Sequence, residues 1–541
     1  MLPTTLITAL LFSTPAPSAQ DSLIARVADD CPIVVYVGDM AAMLTAREES
    51  ALTTLMNDDR VMDGFATIFD VLGEEVTGQD SEDASAMLDA LGTVCSELHG
   101  ASIGFTFPDE SGRIALRGTD DLMPKLLQFL ALAIGEEMTE SELEGQTFRS
   151  VDDELHRWVM IQSGDEILIS VEAIDEMTLE DQAQDVADRL SREDAATDTH
   201  WWDDISERPS NPLFEFFVGG TVFEEDEDPE IQMISEFIDG AYVGLEEDGP
   251  GEWSTVMAVA YPGNQLMTDL SGVLENGDPE LLKIAPSDAT GTVVARVDIQ
   301  GMVESIASFA DMLEGGIYEQ YEAGLQAAES ILGFSIEEGI FDNMTGDYFT
   351  VQWSQDPEAI FAEEEDVAAA FQAMGVFGAF FGDSEPFLTL LELGEQAAGS
   401  DMVTTSSGDD YEGWRFEFME GVELFAAVTD SAIVLGVEDN VLSVLERLDA
   451  TETDGYVTAP MLATAKTLTE GIGWSIFDTE GILDAFVAGV GMAVESDPDA
   501  PEEMLDAMIG VLEAMGDVVG DTVYVDTNVT QDRFVVRWMT R

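Results

Sequence analysis

Positive charge is what this sequence lacks most. Its 541 residues contain 19 Lys and Arg against 112 Asp and Glu, which gives a formal net charge of −93. The acids are spread over nearly every surface segment, so the charge belongs to the whole surface. Such a surface repels nucleic acid and anionic lipid headgroups and disfavours both as partners, whereas cations and basic protein surfaces remain compatible. The same charge predicts adaptation to a saline environment, in which counter-ions screen the self-repulsion.

Cysteine is almost absent as well. Cys31 precedes the first predicted strand, and Cys95 ends a helical stretch. In an exported chain an isolated pair predicts one disulfide, worth about 4 kcal/mol in the chain-entropy model for a loop of this length. Two unpaired buried thiols are the alternative.

Long apolar runs are missing too, so no membrane span is predicted. The best candidate, Val367 to Gly382, has 16 residues and contains Gln372. It is shorter than the roughly 20 residues that a spanning helix needs, and we expect a buried or half-buried helix there.

The short apolar stretch from Leu6 to Phe12 is followed by small residues at Ser18 and Ala19. This pattern predicts a signal peptide at residues 1–19 and export to the periplasm or the exterior, although the stretch lacks a preceding Lys or Arg. A disordered tail on a cytosolic protein is the alternative.

The common catalytic and cofactor motifs are also missing. The chain has no Walker A sequence, no strand-linked G-x-G-x-x-G, no H-E-x-x-H and no C-x-x-C. We therefore predict no catalytic residue, no cofactor and no enzyme activity. A hydrolase of unknown specificity is kept as an alternative. It would need one of the three histidines, His99, His156 or His200.

Two kinds of segment could bind an ion. "THWWDD" (Thr199 to Asp204) is interpreted as a surface aromatic cluster or as a metal or ligand site. The acidic runs Phe223 to Glu230, Ala362 to Ala368 and Glu495 to Glu503 could hold calcium through oxygen ligands, but none has EF-hand spacing. Solvated loop charge is the alternative, and the metal ligands stay unknown.

One arrangement is present three times: an apolar strand, an aspartate and then a helical pattern. The aspartates are Asp39, Asp298 and Asp478. An aspartate between strand and helix is typical of a helix N-cap, since its carboxylate accepts the free N–H groups of the first turn. We predict N-caps at all three positions.

The spacing of these aspartates predicts a duplication. Asp39 and Asp298 are 259 residues apart, and the same offset from Asp478 falls at Gly219, at the end of another apolar strand. The sequence thus predicts two α+β halves, residues 30–280 and 285–541, each with a long and a short unit of antiparallel sheet packed with helices. The hinge is expected at Leu274 to Gly291.

Several segments have the pattern of hairpins. In Ser102 to Gly118 apolar residues alternate around the turn "PDESG", and hairpins are also expected from Ala241 and from Thr522. "DYFTVQW" alternates Phe349, Val351 and Trp353. A methionine stripe from Met504 to Met515 at helical spacing indicates core packing, or alternatively the wall of an apolar groove.

Four stretches together resemble a known family: "CPIVVYVGDMAAML", "LLKIAPSDATGTVVARVDIQGM", "LGFSIEEGIFDNMTGDYFTVQW" and "AVTDSAIVLGVEDNVLSVLERL". They are similar to uncharacterised exported bacterial proteins catalogued as a domain of unknown function. The resemblance implies an α+β envelope or extracellular protein with no assigned activity, and it transfers no functional residue.

The sequence therefore predicts an exported acidic protein with a binding or structural role and an unknown partner. Three alternatives stay open: a calcium-dependent adhesion or matrix protein, a lipid or apolar-ligand binding protein, and a hydrolase.

Overall fold

A computed structural model of the chain describes about two thirds of its residues. The described segments are residues 33–38, 90–106, 111–143, 145–153, 155–174, 177–191, 212–219, 240–249, 252–261, 265–275, 277–313, 317–353, 375–398, 403–408, 410–419, 422–467, 473–479, 502–517, 519–530 and 533–541, with single positions between 23 and 67 and near 209, 238 and 481–487. The chain forms two compact units, Met1–Tyr261 with Asp499–Val519, and Pro262–Pro498 with Gly520–Arg541.

Unit 1 contains ten described strands, and two helices described over their full length lie between them. They are β1 (Ile33–Val37), β2 (Leu98–Thr106), β3 (Ser111–Gly118), α1 (Leu122–Ile134), β4 (Thr139–Leu143), β5 (Gln146–Asp152), β6 (His156–Ser163), β7 (Glu166–Ala173), α2 (Leu179–Ser191), β8 (Phe214–Gly219), β9 (Gly240–Gly249) and β10 (Glu252–Ala260).

The ten strands form an antiparallel sheet in the order β10-β9-β8-β1-β2-β3-β7-β6-β5-β4. The hairpin predicted between Ser102 and Gly118 is confirmed, with Ile103 opposite Ile114. The hairpin expected from Ala241 is β9 and β10. One face of the sheet packs against α1, whose Leu126, Phe129 and Leu130 are buried, because these three residues fall on one side of the helix.

The opposite face of this sheet carries a buried polar layer beneath α2. Gln182 on α2 donates from its amide to the backbone oxygen of Ser170 at 3.2 Å. Arg113 lies 3.7 Å from Glu172 and 3.6 Å from Asp185. Charges so little exposed are tolerated because each has an opposite charge or a hydrogen bond nearby.

Unit 2 has eleven described strands. Its elements are α3 (Gln265–Val273), β11 (Leu274–Glu275), a 3₁₀ turn (Pro279–Ile284), β12 (Gly291–Val297), α4 (Ile299–Leu313), α5 (Ile317–Leu332), a π-helical turn (Glu337–Phe341), β13 (Met344–Gln352), β14 (Val376–Phe381), α6 (Glu385–Ala398), β15 (Val403–Ser407), β16 (Glu412–Met419), β17 (Val422–Val428), β18 (Ala432–Gly436), α7 (Glu438–Leu445), α8 (Ala459–Ala465), β19 (Gly473–Asp478), β20 (Thr522–Val529) and β21 (Arg533–Thr540). The last helix, α9 (Glu502–Gly516), belongs to unit 1.

The main antiparallel sheet of unit 2 has the order β21-β20-β19-β12-β13-β14-β18-β17-β16-β15, and β20 and β21 form the hairpin expected from Thr522. Strand for strand this is the order found in unit 1. The short β11 pairs with the other end of β12.

One face of the unit 2 sheet is closed by α7, α8 and the 3₁₀ turn over a large apolar core. Phe349 of that core lies across Gly378 on the neighbouring strand, where an added Cβ would come within 2.0 Å of the ring. Only glycine leaves room for the ring there. The other face is covered at one end by α6, where Phe387 stacks on Phe381 with ring centroids 4.3 Å apart.

The prediction of an α+β fold is wrong. In the part of the chain that the structure describes, 42% of residues are in strands and 36% in helices. Antiparallel sheet is therefore the main structural component. The helix expected from Val367 to Gly382 illustrates the error, because its described part is the strand β14. The aromatic residues of "VFGAFF" favour a strand once partners are present on both sides, and no local signal in the sequence reveals those partners.

Candidate functional site

Four side chains lie opposite one another across the middle of the unit 2 sheet. They are Val293, Thr350, Phe377 and Leu435 on β12, β13, β14 and β18. Directly opposed residues of antiparallel strands point to the same face, so the four form one continuous row. Phe377 is 45% exposed and Leu435 38%, and the other two are half-buried. We call these four residues the open row.

The row at the same place in unit 1 is closed. It consists of Val35, Ile103, Ile114 and Ile169 on β1, β2, β3 and β7. None of these four side chains is more than 3% exposed. The two sheets have the same strand order, but unit 1 buries this central row and unit 2 leaves part of it exposed.

The position of one helix accounts for the difference. In unit 1, α1 lies over the closed row, and its Phe129 belongs to the same core as Ile114 and Ile169. In unit 2, α6 follows the equivalent strand but packs toward one end of the sheet, in a cluster with Phe381 and Trp414. That cluster does not include Phe377 or Leu435, and their side chains therefore face solvent.

Exposed apolar side chains in the centre of a sheet are unusual. Single exposed apolar residues are common at a protein surface, but adjacent exposed apolar side chains such as Phe377 and Leu435 mark a place where another molecule binds. The ring of Phe377 also stacks on Tyr348 of β13, with centroids 6.1 Å apart, and this extends the apolar surface. The arrangement suits the binding of an apolar group and brings together no reacting atoms.

The structure describes two of the three predicted N-cap aspartates. Asp298 precedes α4, and its Oδ1 accepts a hydrogen bond from the backbone N of Gly301 at 3.2 Å. Asp478 is the last residue of β19, and its backbone N donates to the oxygen of Thr290 at 2.8 Å. Asp39 lies outside the described residues.

The predicted disulfide stays a prediction. Cys95 is a buried free thiol, and its burial raises the pKa of the thiol to about 12. Cys31 lies outside the described residues. Of the histidines proposed for a hydrolase, His99 and His156 are half-buried, with His156 Nδ1 3.8 Å from Asp153 Oδ1. His200 lies outside the described residues with the rest of "THWWDD".

Calcium binding also stays a prediction. The acidic runs 223–230 and 362–368 lie outside the described residues, and only the last two residues of the run 495–503 are described, in α9. Among the residues with a described structure, no group of three potential metal ligands is found.

Sequence patterning alone did not identify the open row. The alternation in "DYFTVQW" singles out Phe349 and Val351, which the structure buries on the opposite face. Tyr348 and Thr350 are the intervening residues of the same strand, and sequence patterning assigns that face to the solvent. Phe377 and Leu435 could not be found from their own segments, because "VFGAFF" and "AIVLG" are apolar on both faces and show no alternation that marks one face as exposed.

No helix in the described part of the chain is long and apolar enough to cross a membrane. No protein-family model and no curated protein sequence matches the chain. Among solved structures the chain is similar to TP0453 in crystal form IV, with a TM-score of 0.25 and 8% identity, over 45% of this chain and 83% of that chain. For crystal form III of TP0453 the TM-score is 0.24 and the identity 7%, over 47% and 88% of the two chains. Similarity at this level supports no inference about function.

Proposed function

We propose that this chain is an exported, non-enzymatic binding protein that holds an apolar ligand against the open row of unit 2. The observation that carries the proposal is the exposure of Phe377 and Leu435 at positions where unit 1 buries Ile114 and Ile169. Complete burial of an exposed apolar side chain by a ligand contributes about 1.5–3 kcal/mol to the free energy of binding. A ligand that covers the open row therefore gains free energy of binding from apolar side chains that folding leaves exposed.

A small apolar ligand fits this surface better than a second copy of the chain. A second copy carries the same formal charge of −93, and its approach is opposed by repulsion over the whole surface. An uncharged apolar ligand meets no such opposition. Export is proposed from the N-terminal apolar stretch and would be tested by sequencing the N-terminus of the mature protein, which is expected near Gln20.

The binding proposal is tested with dodecanol and a solvatochromic fluorescent dye on the full chain. Leu435→Ser is expected to weaken binding about tenfold, since about 1.4 kcal/mol of apolar burial is lost. Leu132→Ser is the matched control, because Leu132 is a 49% exposed leucine on α1 in unit 1. Its replacement should leave the affinity unchanged. If the two variants bind as tightly as the original chain, or if both weaken equally, the open row is not the binding site.

A further inference from the structure

The open row has a polar neighbour at one end. Tyr348 stacks on Phe377, and its hydroxyl donates to the sulfur of Met344 at 3.5 Å. Met344 in turn lines a surface pocket of about 260 Å³ between the ends of β12 and β13. Tyr348 thus connects the open row to this pocket through Met344, and we call the pocket the head pocket.

The head pocket is strongly negative. Glu275, Asp298 and Asp342 line it, and Arg296 is its one basic lining residue. Arg296 is already engaged, with Nε 2.9 Å from Glu275 Oε2 and Nη1 3.9 Å from Asp347 Oδ1. Three carboxylates and one guanidinium line the head pocket, so negative charge is in excess.

Burial and nearby carboxylates both act on the hydroxyl of Tyr348. Burial, followed by the charges of Asp298 and Asp347, raises the pKa of its hydroxyl to about 12. The carboxylates oppose a negative charge at this hydroxyl, whereas they would attract a positive charge placed there.

The size of the head pocket limits what can occupy it. Its volume of about 260 Å³ lies below the roughly 300–1,000 Å³ of sites that enclose a whole drug-sized ligand, which suits a group of a few heavy atoms. A basic helix from a protein partner is much wider, at about 10 Å with its side chains. Ammonium groups of this size bind favourably beside carboxylates and over aromatic rings, and Phe341 is the aromatic residue that lines the head pocket.

Building on the proposed function, we infer that the ligand is a cationic amphiphile. Its apolar chain covers the open row, and its alkylammonium end occupies the head pocket beside Tyr348. An anionic amphiphile of the same chain length is rejected by the carboxylates, and a neutral one binds with intermediate affinity.

The test compares dodecyltrimethylammonium, dodecanol and dodecanoate by calorimetry on the full chain. The two charged amphiphiles are kept below their micelle concentrations and dodecanol below its solubility limit. We expect affinity to fall by about tenfold at each step from cation to neutral to anion. The variant Asp298→Asn with Asp342→Asn should remove most of the preference for the cation and leave the binding of dodecanol unchanged. Asparagine is chosen because it caps a helix as well as aspartate does, so α4 keeps its N-cap.

Glu412→Gln is the matched control. Glu412 is an exposed carboxylate of unit 2 at the start of β16. Its replacement removes one negative charge without touching the head pocket and should keep the cation preference intact. If the Asp298 and Asp342 double variant still binds the cation more tightly than dodecanol, the preference arises from the acidic surface as a whole, and the inference is overturned.

The remaining outcomes separate the inference from the proposed function. If all three amphiphiles bind equally and Leu435→Ser still weakens them, the apolar site stands and the charge preference is wrong. If none binds, the proposed function fails as well. If a basic amphipathic peptide binds through Leu435 but the small amphiphiles do not, the occupant is a protein and the inference is overturned.

Discussion

The contrast between the closed and open rows predicts very different mutational costs at equivalent positions. Ile169 and Leu435 occupy the same place in the two sheets and lose the same number of carbon atoms on replacement by alanine. Ile169 is 0% exposed and Leu435 38% exposed. The comparison of Ile169→Ala with Leu435→Ala therefore isolates the effect of burial.

The expected magnitudes follow from this exposure. Removing three buried methylene-sized groups costs about 2.4 kcal/mol at roughly 0.8 kcal/mol each. At Ile169 the cavity left behind adds about 1–2 kcal/mol, for a total of about 3.5–4.5 kcal/mol. At Leu435 water fills the space that the side chain leaves, so no cavity forms. Only the buried part of the side chain stabilises the fold, and its loss lowers the free energy of unfolding by about 1–1.5 kcal/mol.

The measurement is amide hydrogen exchange under increasing urea, read separately at β7 and β18. Separate probes are needed because two units can unfold in separate transitions. Val434→Ala is the internal control, since Val434 is fully buried on the opposite face of the same strand as Leu435 and should cost about 2 kcal/mol. If Leu435→Ala is as costly as Ile169→Ala, the open row is covered in solution, and both the exposure argument and the binding proposal fail.

Four further outcomes are expected. Tyr242→Phe removes the 3.0 Å hydrogen bond to the fully buried Glu215 and should lower the free energy of unfolding by about 1.5–3 kcal/mol; a neutral result in urea unfolding would show that the other contacts of Glu215 suffice. Asp298→Ala should cost about 1 kcal/mol and Asp298→Asn much less, because asparagine retains the cap; equal costs would argue against capping. The melting temperature should rise from about 0.05 M to about 1 M NaCl beyond the effect of an uncharged osmolyte, as the Debye length shrinks; equal melting would refute the saline interpretation. If Cys31 and Cys95 form the predicted disulfide, neither should react with an alkylating reagent in the native exported protein, and both should react after reduction in denaturant; modification of both cysteines in the native protein would refute the disulfide.

Local chemistry was enough to predict several features from the sequence. The alternation around "PDESG" predicted the β2–β3 hairpin, because a two-residue period needs only the nearest neighbours along the chain. Asp298 lies at the start of α4 for a similarly local reason, since the N–H groups it can accept are three residues away. The charge of −93 is a sum over residues and needs no structure at all.

The balance of strands and helices and the position of the open row were decided by tertiary structure. The segment "VFGAFF" is a strand because β13 and β18 pair with it on either side, and those partners come from distant parts of the chain. Phe377 is exposed because α6 packs on Phe381 and Trp414 at one end of the sheet, whereas α1 covers Ile114 at the equivalent place. Burial is a property of what packs against a residue. For these side chains the covering element lies elsewhere in the chain, so the sequence around Phe377 and Leu435 alone could not show that they would stay exposed.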